Sequence, residues 1–489
     1  MCYLILAGKK ATATGYVLGG HNDDLHGNTA ATYNIVAGGK HEKGEKISLP
    51  RPWFTIGDVK IDEPRDLEIP QVPETYDCFM LQTFRGYIAG DTSAINKHQV
   101  AVVGGLNLAV DRNDRAEVAD PIHKAGLAGG ARYIALQRSR TARECVENLG
   151  ALLSEYGAVF PSCVGIVDPN EAWYFEIGGG FTWAAVRVPD DCYMTQSNGY
   201  RIPEINPDDA ENVICSPKLL DFAKEKGLWN PADGPFHWAR AYGGKMTSDS
   251  EKGYYNVRRV WAVMNKFSPS MNLDPDKKEF PLFLKADKKI DVADVMQGLR
   301  DLFENTPFEA FPEAGGFGTE RPVCVPSCIH SAVVETRGNI PADIGGVLWG
   351  CIGSPMTSPY VPHYLAQQNL LSAYTRGGLE YDRDSAFWRF RLLTNLVMSD
   401  YRTYAPIVKE AWSTLEKDIF AAKAAIEAEA IKFSQKAEED GNAVGRLLTR
   451  FADSYDALAY EEAEKLSTKL QTQIAERQYL HFAKPGLEW

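Results

Sequence analysis

No run of about 20 apolar residues occurs anywhere in the chain, which excludes an obvious membrane-spanning helix. No dense run of Lys or Arg occurs either. With 65 acidic against 52 basic side chains the formal charge is −13, a poor footing for nucleic acid or an anionic membrane. The glycine clusters Gly104-Gly105 and Gly178-Gly179-Gly180 satisfy neither a phosphate-loop nor a dinucleotide fingerprint, so no nucleotide cofactor is expected. No Gly-x-Ser-x-Gly elbow is present. Nine cysteines, at 2, 78, 145, 163, 192, 215, 324, 328 and 351, are odd in number and form no disulfide framework. The pair Cys324 and Cys328, with His330 nearby, is spaced CxxxC rather than CxxC and has no second pair, so buried structural thiols are expected instead of a metal or redox site. The opening apolar run, Tyr3 to Ala7, is too short for a signal-peptide core, and Lys9-Lys10 follow it instead of preceding it. The expectation is a cytoplasmic protein with reduced thiols, without repeats or low-complexity segments.

What is present is ordinary for a folded protein: 44% hydrophobic and 24% charged residues. At 489 residues the chain is long enough for about three domains of ~150 residues, or for one large domain with an appendage.

The start carries the strongest local signal. Cys2 follows the initiator methionine and becomes the first residue if Met1 is removed, so that a thiol and a free α-amine sit on one residue. Reference pKa values of ~8.5 for the thiol and ~7.7–8.0 for the amine suit a nucleophile with its own base. Residues 3–7 read as a strand, and a second from about Gly15 leads to His21-Asn22-Asp23-Asp24; paired as a hairpin, the two bring ionisable groups beside Cys2. His21, Asp23, Asp24 and His26 lack the spacing of a zinc set, and a polar cluster serving Cys2 is the better reading; no metal or cofactor is expected.

Further along, residues 38–75 read as loops with short strands at most, and 78–84 and 99–108 as strands. A helix is predicted over 141–153, with Thr141 and Glu144 as a capping box. A hairpin over 163–177 turns at Asp168-Pro169-Asn170, and the strand 181–188 follows it. Residues 216–265 read as largely helical, 292–303 as an amphipathic helix, and 329–348 as a strand pair. Beyond about Ser385 the composition shifts to Ala, Glu, Lys and Leu, predicting a helical hairpin over about 405–438 and 443–478, broken at Asp440-Gly441-Asn442. Together these elements predict an α+β fold, mostly antiparallel and covered by helices.

Met1-Cys2, GHNDD (20–24), GLN (105–107), EAWYFEI (171–177), WAAVRVPDD (183–191), NGYRI (198–202) and YNVRRVW (255–261) occur in one order. In that order they resemble the C69 cysteine dipeptidases, a family of N-terminal-nucleophile hydrolases. The resemblance continues through 340–349 and 358–362 and covers roughly residues 1–400. It implies a four-layer αββα sandwich as catalytic domain over 1–400, with 401–489 a helical C-terminal extension packed on it. It implies Cys2 as nucleophile, Asp24 as the acid orienting its amine, Asn198 as oxyanion donor, and Asn107 as a second one, where the bile-salt-hydrolase branch places it. Arg258 or Arg259 matches an arginine near the nucleophile; two adjacent helical residues cannot both point inward, and the sequence leaves the choice open. His21 stands where many relatives carry arginine, which makes the charge beside the thiol pH-dependent; read alone, it is a hydrogen-bonding core histidine.

The expected function is a metal-independent dipeptidase acting on short peptides through an acyl-thioester. The alternatives are an N-acyl amidase or acyltransferase of the same superfamily, like penicillin acylases and bile-salt hydrolases, or a non-catalytic interaction protein on the same scaffold. A dipeptidase needs charged groups for the substrate's free amine and carboxylate, an acylase an apolar acyl pocket, and the sequence locates neither. The expected partner is a small peptide, with no nucleic acid or membrane, and the long amphipathic tail is compatible with a homo-oligomer.

Overall fold

The computed structural model describes residues 2–24, 29–49, 67–83, 92–108, 111–127, 129–244, 254–312, 316–318, 320–435 and 442–482. The run Tyr3–Ala7 is buried along its whole length, as expected of a strand covered on both faces. It pairs antiparallel with Val17–Asp24 on one side and Tyr193–Gln196 on the other. Cys328–Thr336, Val347–Ile352 and Val361–Tyr364 complete a six-stranded sheet. An eight-stranded sheet runs in the order Val213–Cys215, Trp183–Val188, Ala172–Ile177, Ser162–Val167, Ala101–Asn107, Thr92–Asn96, Cys78–Thr83, Ala31–Val36. Every pairing in both sheets is antiparallel.

Side-chain alternation sends Leu4 and Leu6 toward the eight-stranded sheet and Tyr3 and Ile5 the other way. Two adjacent glycines serve the two faces of the neighbouring strand. A Cβ on Gly19 would lie 3.1 Å from Val103 of the facing sheet, and one on Gly20 would lie 2.5 Å from Val295 of the helix Val292–Leu299. Gly165 gives way in the same manner to Leu6, whose Cδ2 would stand 2.6 Å from an added Cβ. Tyr254–Phe267 and Val292–Leu299 pack Val260, Val263, Met296 and Leu299 against Tyr3, Ile5 and Val333. Gly130–Gln137 and Ala142–Tyr156 set Ile134 and Leu149 against Val102, Val164 and Trp173 of the other sheet.

Several sequence expectations are modified. Thr141 does cap its helix, accepting from Glu144 N, but the Glu144 carboxylate accepts from Arg140 N at 2.6 Å and not from the cap residue, so the box is displaced by one residue. Residues 216–265 carry helix in separate pieces: Leu219–Glu225 and Trp238–Tyr242 are short, and Tyr254–Phe267 is the long one among the described residues. Gly227, Pro231, Gly234-Pro235 and Gly243-Gly244 punctuate the stretch, and apolar periodicity alone hid them.

The tail forms Tyr401–Gln435 and Ala443–Phe482, preceded by Ala386–Met398; most of the predicted break at 440–442 lies outside the described residues. Val408, Trp412, Leu466 and Leu470 join the same core cluster as Leu4 and Leu6. No helix among the described residues is long and apolar enough to cross a membrane.

A buried ion network fastens Tyr401–Gln435 to the end of the strand Cys328–Thr336. Arg337 grips Glu427 with two bonds, 2.7 and 2.8 Å, Lys423 reaches Glu427 at 2.8 Å and Glu335 at 3.2 Å, and Tyr364 donates to Glu427 at 2.9 Å. Burial alone would raise the Glu427 carboxyl, but Arg337 and Lys423 outweigh it and hold it below its ordinary value. Removing one partner of such a network leaves buried charge uncompensated, so Glu427→Ala is expected to cost about 3–5 kcal/mol in urea unfolding at pH 7. The wild-type advantage should fade as pH drops through the depressed Glu427 pKa; a loss under about 1 kcal/mol at pH 7 would refute the assignment.

Candidate active site

The register of the first two strands runs from Tyr3 opposite Asn22 to Ala7 opposite Leu18. Continued by one residue, it sets Cys2 opposite Asp23, on the face shared with Leu4 and Leu6. Cys2 is 3% exposed, and its Sγ donates to Asp23 Oδ1 at 3.5 Å. The other oxygen, Oδ2, accepts from Thr83 Oγ1 at 2.9 Å and lies 3.5 Å from Nδ1 of His330, a ring that burial pushes down to about 3 and keeps neutral. Asp24 points the other way. It accepts from Ser327 Oγ at 2.6 Å and forms an ion pair with Arg321, whose guanidinium also lies 5.7 Å from the Tyr255 ring centre.

His21 is fully buried, with Nδ1 3.4 Å from Ser93 Oγ and its ring edge-on to His330 at 6.0 Å. Burial, reinforced by His330 and Arg132, holds it well below the ordinary histidine range. It is a neutral core histidine, and the expected pH-dependent charge beside the thiol is therefore corrected: His21 does not titrate near neutral pH.

The choice between the adjacent arginines is decided by helix phase. Arg258 faces Glu320 and Asp276, the latter at 2.7 Å, and stacks on Phe308 with 3.8 Å to the ring centre. Arg259 turns inward: Nη1 donates to Cys2 O at 3.1 Å, and Nη2 donates to Asn198 Oδ1 at 3.0 Å and Asn256 Oδ1 at 2.8 Å. Nε is taken by Tyr255 O at 2.9 Å. Burial pulls the Arg259 pKa below its ordinary value, and Tyr255, Tyr3 and Cys2 pull it back.

Asn198 stands in the turn after Tyr193–Gln196, wholly buried. With its oxygen held by Arg259, its Nδ2 is buried without a hydrogen-bond acceptor among the described residues. The turn is fixed at several points: Ser197 Oγ donates to Asn256 O at 3.0 Å, Tyr200 N to Asp111 Oδ2 at 3.1 Å, and Arg201 N to Glu176 Oε1 at 2.8 Å. Asn107 ends its strand opposite Ser162, but its side chain lies outside the described residues, as does His26.

The structure thus gathers Cys2, Asn198 and Arg259 into one hydrogen-bonded group, sets His21 and Asp23 behind the thiol, and sends Arg258 elsewhere. Thr83, Arg321 and Ser327 were not legible as site residues, because each arrives from a distant segment with no motif spacing to mark it, and His330 stood out only beside Cys324 and Cys328. Tyr255 and Asn256 do lie beside the arginine pair, and helical phase with Arg259 was the one usable signal.

Glu176, behind the Asn198 turn, is pushed up to about 7 by burial despite hydrogen bonds from Tyr174 and the Arg201 backbone. A folded-state pKa above the ordinary 4.5 means that the native protein holds this proton longer than the unfolded chain. Stability from this group therefore falls as pH rises from about 4.5 to about 7, by roughly 3 kcal/mol. Glu176→Gln should remove that slope: in urea unfolding the variant gains on wild type between pH 5 and 7.5, and parallel curves would contradict the assignment.

A sequence profile of Peptidase family C69 matches residues 1–414. A "Probable dipeptidase" of Salmonella dublin is 30% identical over 373 residues, covering 74% of this chain and 80% of its own. A "Probable dipeptidase B" of Lactococcus lactis is 27% identical, covering 83% of each chain, and one from Streptococcus pyogenes serotype M1 is 24% identical, covering 85% of this chain and 82% of its own. A solved mutant conjugated bile acid hydrolase from Clostridium perfringens overlaps 76% of this chain and 94% of its own at 10% identity; its TM-score of 0.29 is too low to bear on the fold. On the extent of the profile match and the coverage of the Salmonella relative, this chain belongs to peptidase family C69.

Proposed function

We propose that the protein is a cysteine-type dipeptidase whose nucleophile is Cys2, exposed by removal of Met1. The observation that carries this reading is the Arg259 guanidinium, which bonds at once to the backbone of Cys2 and to the amide of Asn198. One rigid cation thereby fixes the reacting residue relative to a buried amide N–H that has no acceptor among the described residues. Membership of a peptidase family and the names of the relatives support the reaction class. Helices on the outer faces of both sheets support reading the fold as the four-layer αββα sandwich of N-terminal-nucleophile hydrolases.

In this mechanism the α-amine of Cys2 takes the thiol proton as sulfur attacks the peptide carbonyl. Asn198 Nδ2 donates to the oxygen that becomes negative, an interaction stronger in the transition state than in the ground state. The amine then gives its proton to the leaving nitrogen, and water hydrolyses the acyl-thioester to regenerate the thiol. Asp24, which the resemblance names as the acid orienting the amine, is tied to Arg321 and Ser327. Asp23 orients the thiol through its hydrogen bond.

The first test combines mass spectrometry of the N-terminal peptide after limiting alkylation near neutral pH with an assay on unmodified dipeptides. Loss of Met1, preferential modification of Cys2 and release of free amino acids are expected. Retained Met1 with dipeptide hydrolysis intact would overturn the amine-base mechanism, and a Met1-free protein that leaves dipeptides uncut would overturn the dipeptidase reading. Asn198→Ala should lower kcat by about 10²–10³-fold, the usual loss for one oxyanion donor, while Cys2 alkylation proceeds at nearly the wild-type rate.

A further inference from the structure

The acceptors around the buried Arg259 guanidinium share one property: none carries a charge. Two are the backbone carbonyls of Cys2 and Tyr255, and two are the side-chain amide oxygens of Asn198 and Asn256. Among the described residues no carboxylate pairs with this cation, and the groups that act on it through space are Tyr255, Tyr3 and Cys2. Elsewhere in the fold the opposite solution is used. Arg300 and Arg337 are each gripped by one carboxylate, Glu416 and Glu427, through two bonds.

Asn256 lies one helical turn before Arg259 and is 2% exposed. Its Oδ1 accepts from Arg259 Nη2 at 2.8 Å and from Asn198 N at 3.3 Å, while its carbonyl accepts from Ser197 Oγ. Flipping the amide would set an NH2 group against two donors, so the chemistry itself assigns the oxygen to that side. The other end, Nδ2, is buried without an acceptor among the described residues. Hydrogen bonding alone does not account for an amide at this position. A carboxylate would accept the same two bonds, more strongly, and would leave no buried N–H unsatisfied. What it would change is the charge, because it would cancel the guanidinium.

We propose that Asn256 is a positioning residue, which holds Asn198 and Arg259 in place by a neutral oxygen and so leaves the charge of Arg259 to act on Cys2. The inference rests on the proposed cysteine mechanism and deepens it: an uncompensated cation favours the thiolate and the oxygen that becomes negative during attack. Other groups also face the thiol. Asp23 approaches from the neighbouring strand, with Thr83 and the neutral His330 behind it, and His21 is neutral. Tyr255 comes from the helix, while Arg321, itself tied to Asp24, and Cys328 act through space. All of these are unchanged when Asn256 alone is replaced.

The test follows the pH dependence of Cys2 alkylation, read by mass spectrometry of the N-terminal peptide, together with kcat and KM on one dipeptide. Asn256→Asp keeps both acceptor bonds and cancels the cation. Its alkylation midpoint should rise by about one pH unit, the smaller end of the shift that one nearby charge produces, and kcat should fall about 10-fold with KM within about 2-fold. Asn256→Ala keeps the cation and removes the acceptor, so its midpoint should stay within about 0.3 unit of wild type while kcat falls about 10-fold through misplacement of Asn198. In an Asn198→Ala background the same alanine should cost under about 3-fold more, since it acts through that amide. An unmoved midpoint in Asn256→Asp, or alanine losses that multiply in full, would overturn the proposal. If Asn256→Asp does not fold, the alanine pair decides: full multiplication of the losses, or a midpoint displaced by a whole unit in Asn256→Ala, overturns it. A Met1-free wild type that leaves dipeptides uncut would remove the dipeptidase reading, whereas the alkylation midpoints need no substrate and would still test Asn256.

Discussion

The arrangement depends on one buried cation. Removing a guanidinium from water costs several kcal/mol unless its N–H groups find acceptors, so the acceptors around Arg259 are structural necessities before they are anything else. Four are present: the carbonyls of Cys2 and Tyr255 and the side-chain oxygens of Asn198 and Asn256. They come from the chain start, the turn after Tyr193–Gln196 and the helix Tyr254–Phe267. Tyr3 closes the circuit by donating to the carbonyl of Arg259 at 3.0 Å. A lysine could neutralise one acceptor at a time, but it could not hold two amides and a backbone carbonyl in one plane.

What brings Cys2 to this cation is sheet register. The pleat alternates faces, so a slip of one residue would exchange Leu4 and Leu6 for Tyr3 and Ile5 between the sheets and turn the thiol outward. Gly19 and Gly20 protect that register, since a side chain on either would meet Val103 or Val295. The chain start can therefore lie in only one way against its neighbour, and the thiol falls beside Asp23 and not Asp24.

Much of this was open to inspection in the sequence, and the boundary is physical. The apolar run at Tyr3–Ala7, the turn at Asp168–Asn170 and the helical character of the tail depend on neighbours within a few residues, and local pattern reports them. Counting register outward from the first turn could even have set Cys2 against Asp23. The Arg258/Arg259 ambiguity was different: helix spacing says that the two diverge, while only the rest of the fold says which of them meets the sheet. Thr83 and His330 reach Asp23 across separations of 60 and 307 residues, and such contacts leave no local trace. The breaks between the helices of 216–244 had the opposite origin, since glycine and proline mark them locally where apolar periodicity does not.

The two asparagines also explain why neutral amides occupy positions where a cation would bind an anion more strongly. An N–H donor buried without an acceptor costs about 1–3 kcal/mol, a modest penalty beside that of an unpaired buried charge. That penalty is relieved only when an acceptor arrives, so the folded protein holds its donors aligned in advance, and no reorganisation is needed when charge develops. On the reading proposed above, Asn198 meets the oxygen at the scissile bond. Because a single nitrogen of Arg259 holds both amides by their oxygens, the separation between those donors is set by one planar group and not by two independent side chains. The cation that anchors the Cys2 carbonyl thus also holds the Asn198 amide, so the proposed nucleophile and its proposed oxyanion donor are placed by one set of hydrogen bonds.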